Sequence, residues 1–352
     1  MLHSPKTRTI ASFRYLLFRI VLLIVSVGCA LLGAEQLYRF YIFGWSSWSF
    51  TRMDSQRNLG VSGLVIPSSN PDLIYELKPD LHTFFKGVAF DTTSDGLWDQ
   101  PYSREKPANT YRIAVVGDSF TMASGVPIEA AYHSVIEKRL NLEFSQRRYE
   151  LINFGVGGYC LRQYVAMVTQ KAHVYHPDAV LVGFCSKNDH FVMPDSIFQT
   201  PYQVKRIRHG FFHLYTLDAV LRMSEKWHIH GPRLKRFFPV ADPNKNVLSD
   251  AQHDHVNSMF AKLAEYRDRF GIPVIIVYMD LLHYEQFAAE IHNLAHQHGL
   301  LFIDASAAFP HNREYRYWIN RRDDHPNATA HRMFADAILS GNAFQPALNG
   351  MM

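Results

Sequence analysis

Five short apolar runs mark the C-terminal two thirds of the chain: residues 112–116 (RIAVV), 151–154 (LINF), 179–184 (AVLVGF), 273–278 (PVIIVY) and 300–303 (LLFI). They are rich in β-branched residues and do not alternate with polar ones. That pattern predicts strands buried on both faces. Between them lie stretches with helical spacing, predicted over 128–140, 161–173, 250–270, 282–298 and 327–339, with Ser249 or Asp250 as the N-cap of the third. Strand and helix in alternation require crossover connections. The expected fold is therefore α/β, a parallel five-stranded sheet covered by helices on both sides. Ligands in such sheets bind at the carboxyl ends of the strands.

A different pattern opens the chain. Residues 20–34 (IVLLIVSVGCALLGA) carry no charge, and adding 15–19 brings in one arginine, Arg19. A span of ~20 residues crosses a bilayer core, and an arginine near its end can reach the headgroups. Tyr38, Tyr41, Trp45 and Trp48 follow as an interfacial aromatic belt would. The expectation is a transmembrane signal-anchor helix at 15–34 behind a cytoplasmic N-terminus at 1–14. Lys6, Arg8, Arg14 and Arg19 precede or open the run, whereas Glu35 and Arg39 cancel beyond it, so the rest of the chain is expected outside, periplasmic or extracellular. A cleaved signal peptide competes with this reading, although Leu32-Gly33-Ala34 is a poor cleavage site. A lipoprotein reading at Cys29 is weaker, because apolar residues continue past it.

Residues 46–110 mix Pro, Gly, Ser and Asp, and read as an irregular lead-in with at most a short strand or two. The main domain is expected over 111–342. Residues 197–248 interrupt its alternation as a long insertion. Within its stretch 201–236, Lys205, Arg206, Arg208, Arg222, Lys226, Arg233, Lys235 and Arg236 stand against only Asp218 and Glu225, among many aromatic residues. The insertion reads as a solvated helical cap or as a basic-aromatic face toward lipid headgroups or an anionic polymer. The whole chain of 352 residues has 36 Lys+Arg against 32 Asp+Glu, too small an excess to argue for nucleic acid. Three cysteines cannot form a disulfide framework, and Cys160 and Cys185 are expected as free buried thiols. No glycine-rich phosphate loop or Cys/His metal spacing occurs, so neither cofactor nor metal is expected.

The candidate chemistry sits where strands end. Ser119, in Gly117-Asp118-Ser119, follows the first strand, and a serine at such a turn exposes its hydroxyl. Gly158, in Asn153-Phe-Gly-Val-Gly-Gly158, follows the second, where glycine leaves a backbone N–H unobstructed. Asn188 follows the third, and its amide can donate to a developing oxyanion. Asp323-Asp324-His325 precedes the last helix, and a histidine oriented by a carboxylate is the usual base for a serine. Each feature alone is also explained by an ordinary turn or helix cap.

Together, in this order, they resemble the SGNH (GDSL) hydrolase superfamily, over about residues 111–339. Segments 70–79 (NPDLIYELKP) and 95–97 (DGL), ahead of 111–120 (YRIAVVGDSF), resemble a membrane-anchored subset of it. The resemblance implies a flavodoxin-like three-layer α/β/α sandwich. It implies Ser119 as nucleophile, His325 as base, and the N–H groups of Ser119 and Gly158 with the Asn188 amide as oxyanion hole. The commonest spacing in the superfamily, Asp-x-x-His, would fall on Arg322, so the acid is Asp323 by the Asp-x-His spacing or the adjacent Asp324. Ser186 stands where a glycine is usual two residues before the asparagine.

The function so implied is a membrane-anchored serine esterase acting on an acyl ester, such as an O-acylated glycan, through an acyl-serine. Its partners are that substrate and the membrane. Two alternatives remain: an O-acyltransferase of the same fold acting on an exported polysaccharide, and a non-catalytic binding domain of an envelope assembly.

Overall fold

The structure is a computed structural model that describes residues 5–48, 61–144, 146–192, 214–217, 247–310, 314–320, 323–344 and 348. It divides into two compact units, Met1–Gln56 with Ile207–Val240, and Arg57–Arg206 with Ala241–Met352. The eight basic residues of 201–236 lie outside the described residues.

In the first unit, α1 (Pro5–Phe43) is one continuous helix. Its segment Tyr15–Tyr41, with mean hydropathy 2.5, is long and apolar enough to cross a membrane. Past the uncharged run, Arg39 pairs with Glu35 at 2.7 Å, one turn apart. The Glu35 carboxylate also accepts from the backbone N–H groups of Tyr215 and Thr216, both at 3.0 Å, and from the Thr216 hydroxyl at 2.7 Å. This buried acid thus binds a piece of the insertion to the end of the apolar helix.

The second unit is built on five parallel strands: β5 (Thr110–Gly117), β6 (Arg148–Asn153), β7 (Ala179–Cys185), β8 (Val274–Met279) and β9 (Leu301–Asp304). Their order is β6-β5-β7-β8-β9, which is the flavodoxin-like order. All five predicted strands are present, and the fold is the expected three-layer sandwich. Residues of each strand alternate between two cores. Ala114, Val116, Val180, Val182 and Ile276 face one, whereas Ile113, Val115, Leu181, Ile275 and Val277 face the other. The first core is covered by α3 (Leu161–Ala166), α4 (Asp250–Phe270) and α5 (Glu285–Gln297), and the second by α2 (Tyr132–Glu143) and α6 (Ala328–Ser340).

Two predicted helices differ in detail. The one after β5 is broken at Ala131, whose extended backbone separates a 3-10 turn Ile128–Ala130 from α2. The one after β6 passes from α3 into a π-helical stretch Met167–Ala172 and a 3-10 turn His173–Tyr175.

The lead-in is more regular than its composition suggests. It forms two antiparallel pairs, β1 (Val65–Pro67) with β2 (Tyr75–Leu77), and β3 (His82–Phe85) with β4 (Val88–Asp91). Leu64, Leu77, Phe85, Phe90 and Trp98 are buried in the first core, with the Phe90 and Trp98 rings 4.3 Å apart. The hairpins are therefore packed into the sheet's own core. Cys160 and Cys185 are buried and in no disulfide, Cys160 just before α3 and Cys185 at the end of β7.

Candidate functional site

Because β6 and β7 lie on opposite sides of β5, the chains leaving these strands diverge at its carboxyl end and open a crevice there. Three of the four candidate loops line it, and the fourth comes from the last hairpin.

Ser119 is the second residue after β5. The turn that carries it is closed by bonds from Met122 N–H to the Asp118 carbonyl (2.8 Å) and from Ser124 N–H to the Ser119 carbonyl (3.0 Å). Asp118 lies buried beneath and accepts from Phe120 N–H at 2.8 Å. Burial pushes its carboxyl above the usual carboxylate range, against that bond and the nearby His325.

His325 lies on β11 (Asp323–Pro326), which pairs with β10 (Trp318–Asn320). Asn327 then caps α6, accepting from Thr329 N–H at 3.0 Å and Ala330 N–H at 3.1 Å. Capping therefore falls to Asn327 and leaves the preceding acids for other work. The imidazole Nε2 is 3.0 Å from Ser119 Oγ, and Nδ1 is 2.5 Å from Asp323 Oδ1. Asp324 instead pairs with Lys187 at 2.7 Å. The two acids are thus told apart by their partners: Asp323 meets the imidazole, whereas Asp324 is taken up by the Lys187 ammonium.

Gly158 is exposed, with φ +83°, a conformation that L side chains rarely adopt. A Cβ there would also come within 2.9 Å of the Tyr75 hydroxyl. That hydroxyl donates to the Gly157 carbonyl at 3.0 Å. Among the described residues, the N–H groups of Ser119 and Gly158 donate to no protein acceptor. The Asn188 amide donates to the Tyr159 carbonyl at 2.9 Å. Its loop is tied by Asp189, which accepts from Cys185 N–H at 2.6 Å and the Tyr164 hydroxyl at 2.7 Å. Ser186, in the place of the usual glycine, hydrogen-bonds the Asp280 carboxylate.

Three side chains at the site were not anticipated from the sequence. Lys86, at the tip of the β3–β4 hairpin, puts its Nζ 2.8 Å from Asp323 Oδ2 and 2.9 Å from His325 Nδ1. Tyr75 reaches the glycine loop from β2, and Lys187 holds Asp324. Nothing in the sequence ties Lys86 to a histidine 239 positions away. Burial alone would raise the Asp323 carboxyl, but the hydrogen bonds from His325 and Lys86 outweigh it and hold the group well below the usual carboxylate range. Burial lowers the Lys86 ammonium, and Asp323 only partly restores it.

Asp323, Asp324 and His325 place ligand atoms within 4.8 Å of one another, close enough to share a cation. Ammonium groups already stand there, Lys86 on Asp323 and Nδ1, Lys187 on Asp324. A metal ion would have to displace both.

The parallel sheet has the flavodoxin-like order, and the serine, glycine and asparagine loops follow its strands. No protein-family model matches the chain, and no curated protein matches it. Solved structures do match. LAE5, an alpha/beta hydrolase enzyme from the metagenome of Lake Arreo, is 16% identical, with 69% of this chain and 96% of that one covered and a TM-score of 0.39. A catalytic mutant of Axe2, an acetylxylan esterase from Geobacillus stearothermophilus, is 14% identical over 65% and 92% of the two chains, with a TM-score of 0.42. A two-domain esterase (CEX) active on acetylated mannans is 15% identical over 68% of this chain and 50% of that one, at 0.41.

Proposed function

We propose that the chain is a membrane-anchored serine esterase of the SGNH type, hydrolysing an acyl ester through an acyl-serine intermediate. The observation that carries this is the continuous relay from Ser119 Oγ through His325 to Asp323, at 3.0 and 2.5 Å. In this reading His325 Nε2 takes the Ser119 proton as Oγ attacks the ester carbonyl. Asp323 accepts from Nδ1–H, which fixes the tautomer and stabilises the imidazolium. The oxyanion is held by the N–H groups of Ser119 and Gly158 and by the Asn188 amide, three donors supplied by three separate loops. The imidazolium protonates the departing alcohol, and water, activated by His325, then releases the acid.

The family resemblance implies an O-acylated glycan as the substrate class. The N-terminal helix is the anchor, with the N-terminus cytoplasmic and the catalytic unit outside. The basic residues ahead of the apolar run support that orientation.

The test uses the full chain in detergent micelles. p-Nitrophenyl acetate hydrolysis and fluorophosphonate labelling are followed for the wild type and for Ser119→Ala. Both activities are expected in the wild type and neither in the variant. A folded wild type that shows neither contradicts the esterase reading and favours a binding domain.

A further inference from the structure

We propose that Lys86 is a positioning residue for the Asp323–His325 pair, an inference that rests on the esterase reading above. Its ammonium holds the outer carboxylate oxygen, so that the inner oxygen faces Nδ1. Its charge also opposes a second proton on the imidazole.

Three observations converge. First, the hairpin tip is an unusual place for lysine. Phe85 and Val88 are the last pair, and the two linking residues, Lys86 and Gly87, have φ of 50° and 90°. Two successive positive φ values make a turn that favours Asn-Gly or Gly-Gly, so lysine is not the choice local backbone energetics would make. Second, the side chain does not extend into solvent. Only 22% of it is exposed, in a site where burial works against its charge. Third, Nζ contacts both members of the pair, Asp323 Oδ2 at 2.8 Å and His325 Nδ1 at 2.9 Å.

These contacts define two proton arrangements. With Nδ1–H donating to Asp323 Oδ1, Nε2 is free to accept from Ser119. With Lys86 donating to Nδ1, the ring proton sits on Nε2 and the base is idle. A lysine committed to Oδ2 favours the first arrangement. Among the described residues, the other charged or titratable groups around His325 are Asp118 below the serine, Asp324 and its partner Lys187, and the neutral His331 on α6. Among the cations of the described residues, Lys86 is the one with a contact to the imidazole itself.

The backbone supplies a discriminating variant. Asparagine suits the hairpin tip better than lysine, so Lys86→Asn removes the ammonium without weakening the turn. With the full chain in detergent and p-nitrophenyl acetate as substrate, K86N is expected to keep or raise the melting temperature. Its kcat falls about tenfold with little change in KM, as expected for loss of one charge-assisted hydrogen bond that orders the base. The acidic limb of its kcat/KM profile moves to higher pH by about one unit, because a charge opposing protonation has gone. Lys86→Arg restores most of the rate and returns the limb. A K86N variant with wild-type kcat and an unmoved limb overturns the inference and leaves the esterase reading intact. So does a rate loss that accompanies a lower melting temperature and that K86R does not rescue, which makes Lys86 structural. A folded wild type that neither hydrolyses the ester nor takes the fluorophosphonate overturns the esterase reading, and this inference with it.

Discussion

At the carboxyl edge of the sheet, Ser119, Gly158 and Asn188 each leave a loop directly after a strand. In the lead-in, Tyr75 and Lys86 reach the same site from two short hairpins. The first arrangement follows from topology, because the switch in strand order at β5 brings those loops together. The second depends on packing. Phe85, Phe90 and Trp98 must seat in the core before Lys86 can meet Asp323. In the proposed reading, the reacting groups come from the sheet and the last hairpin, while the groups that brace them come from a segment that looks like a linker. A strand end fixes where a nucleophile stands, whereas a hairpin tip supplies a long side chain that can reach across to a neighbour.

The contrast is sharpened most by the two adjacent carboxylates. Asp323→Asn is expected to lower kcat by about 10³–10⁴, as loss of the orienting acid does elsewhere, while Asp324→Asn, whose carboxylate pairs with Lys187, changes it less than about threefold. Steady-state kinetics decide this, and equal effects would show that the contact with Nδ1 does not select the acid. Next, Phe90→Ala should destabilise the catalytic unit by about 3–5 kcal/mol, since the ring is fully buried against Trp98. Denaturant unfolding measures it, and a loss under about 1 kcal/mol would make the lead-in a loosely applied strap. Asn188→Ala should then cost about 10²–10³ in kcat with little effect on stability.

The smallest effects are in the pH dependence of stability, and they differ in sign between the regions. Burial, with the Glu137 charge, pushes Asp99 at the end of the lead-in up to about 8. Between its unfolded value near ~4 and about 8, the folded state binds the extra proton, so this contribution is lost as pH rises. On α6, burial holds His331 down to about 3. Its contribution is present above ~6.5 and lost as pH falls toward 3. Melting temperatures across pH 4–8 should show Asp99→Asn flattening the decline on the alkaline side and His331→Gln flattening it on the acid side.

The five strands could be read from the sequence because each is an unbroken apolar run buried on both faces. The serine, glycine, asparagine and histidine loops could be read because their chemistry sits beside those runs. The sequence does not separate Asp323 from Asp324, because the choice rests on Lys187, which is distant in sequence and occupies the second acid. The lead-in looks irregular in sequence because its strands are three or four residues long, too short to show a period. Lys86 could not be found at all, since its role depends on a contact between distant parts of the chain.

Peptide mapping by mass spectrometry after fluorophosphonate treatment of the full chain asks whether Ser119 is a nucleophile activated by His325. A single covalent adduct on Ser119 is expected, formed at least about a hundredfold more slowly in His325→Ala. An adduct on another residue, or none on a folded chain, would contradict it.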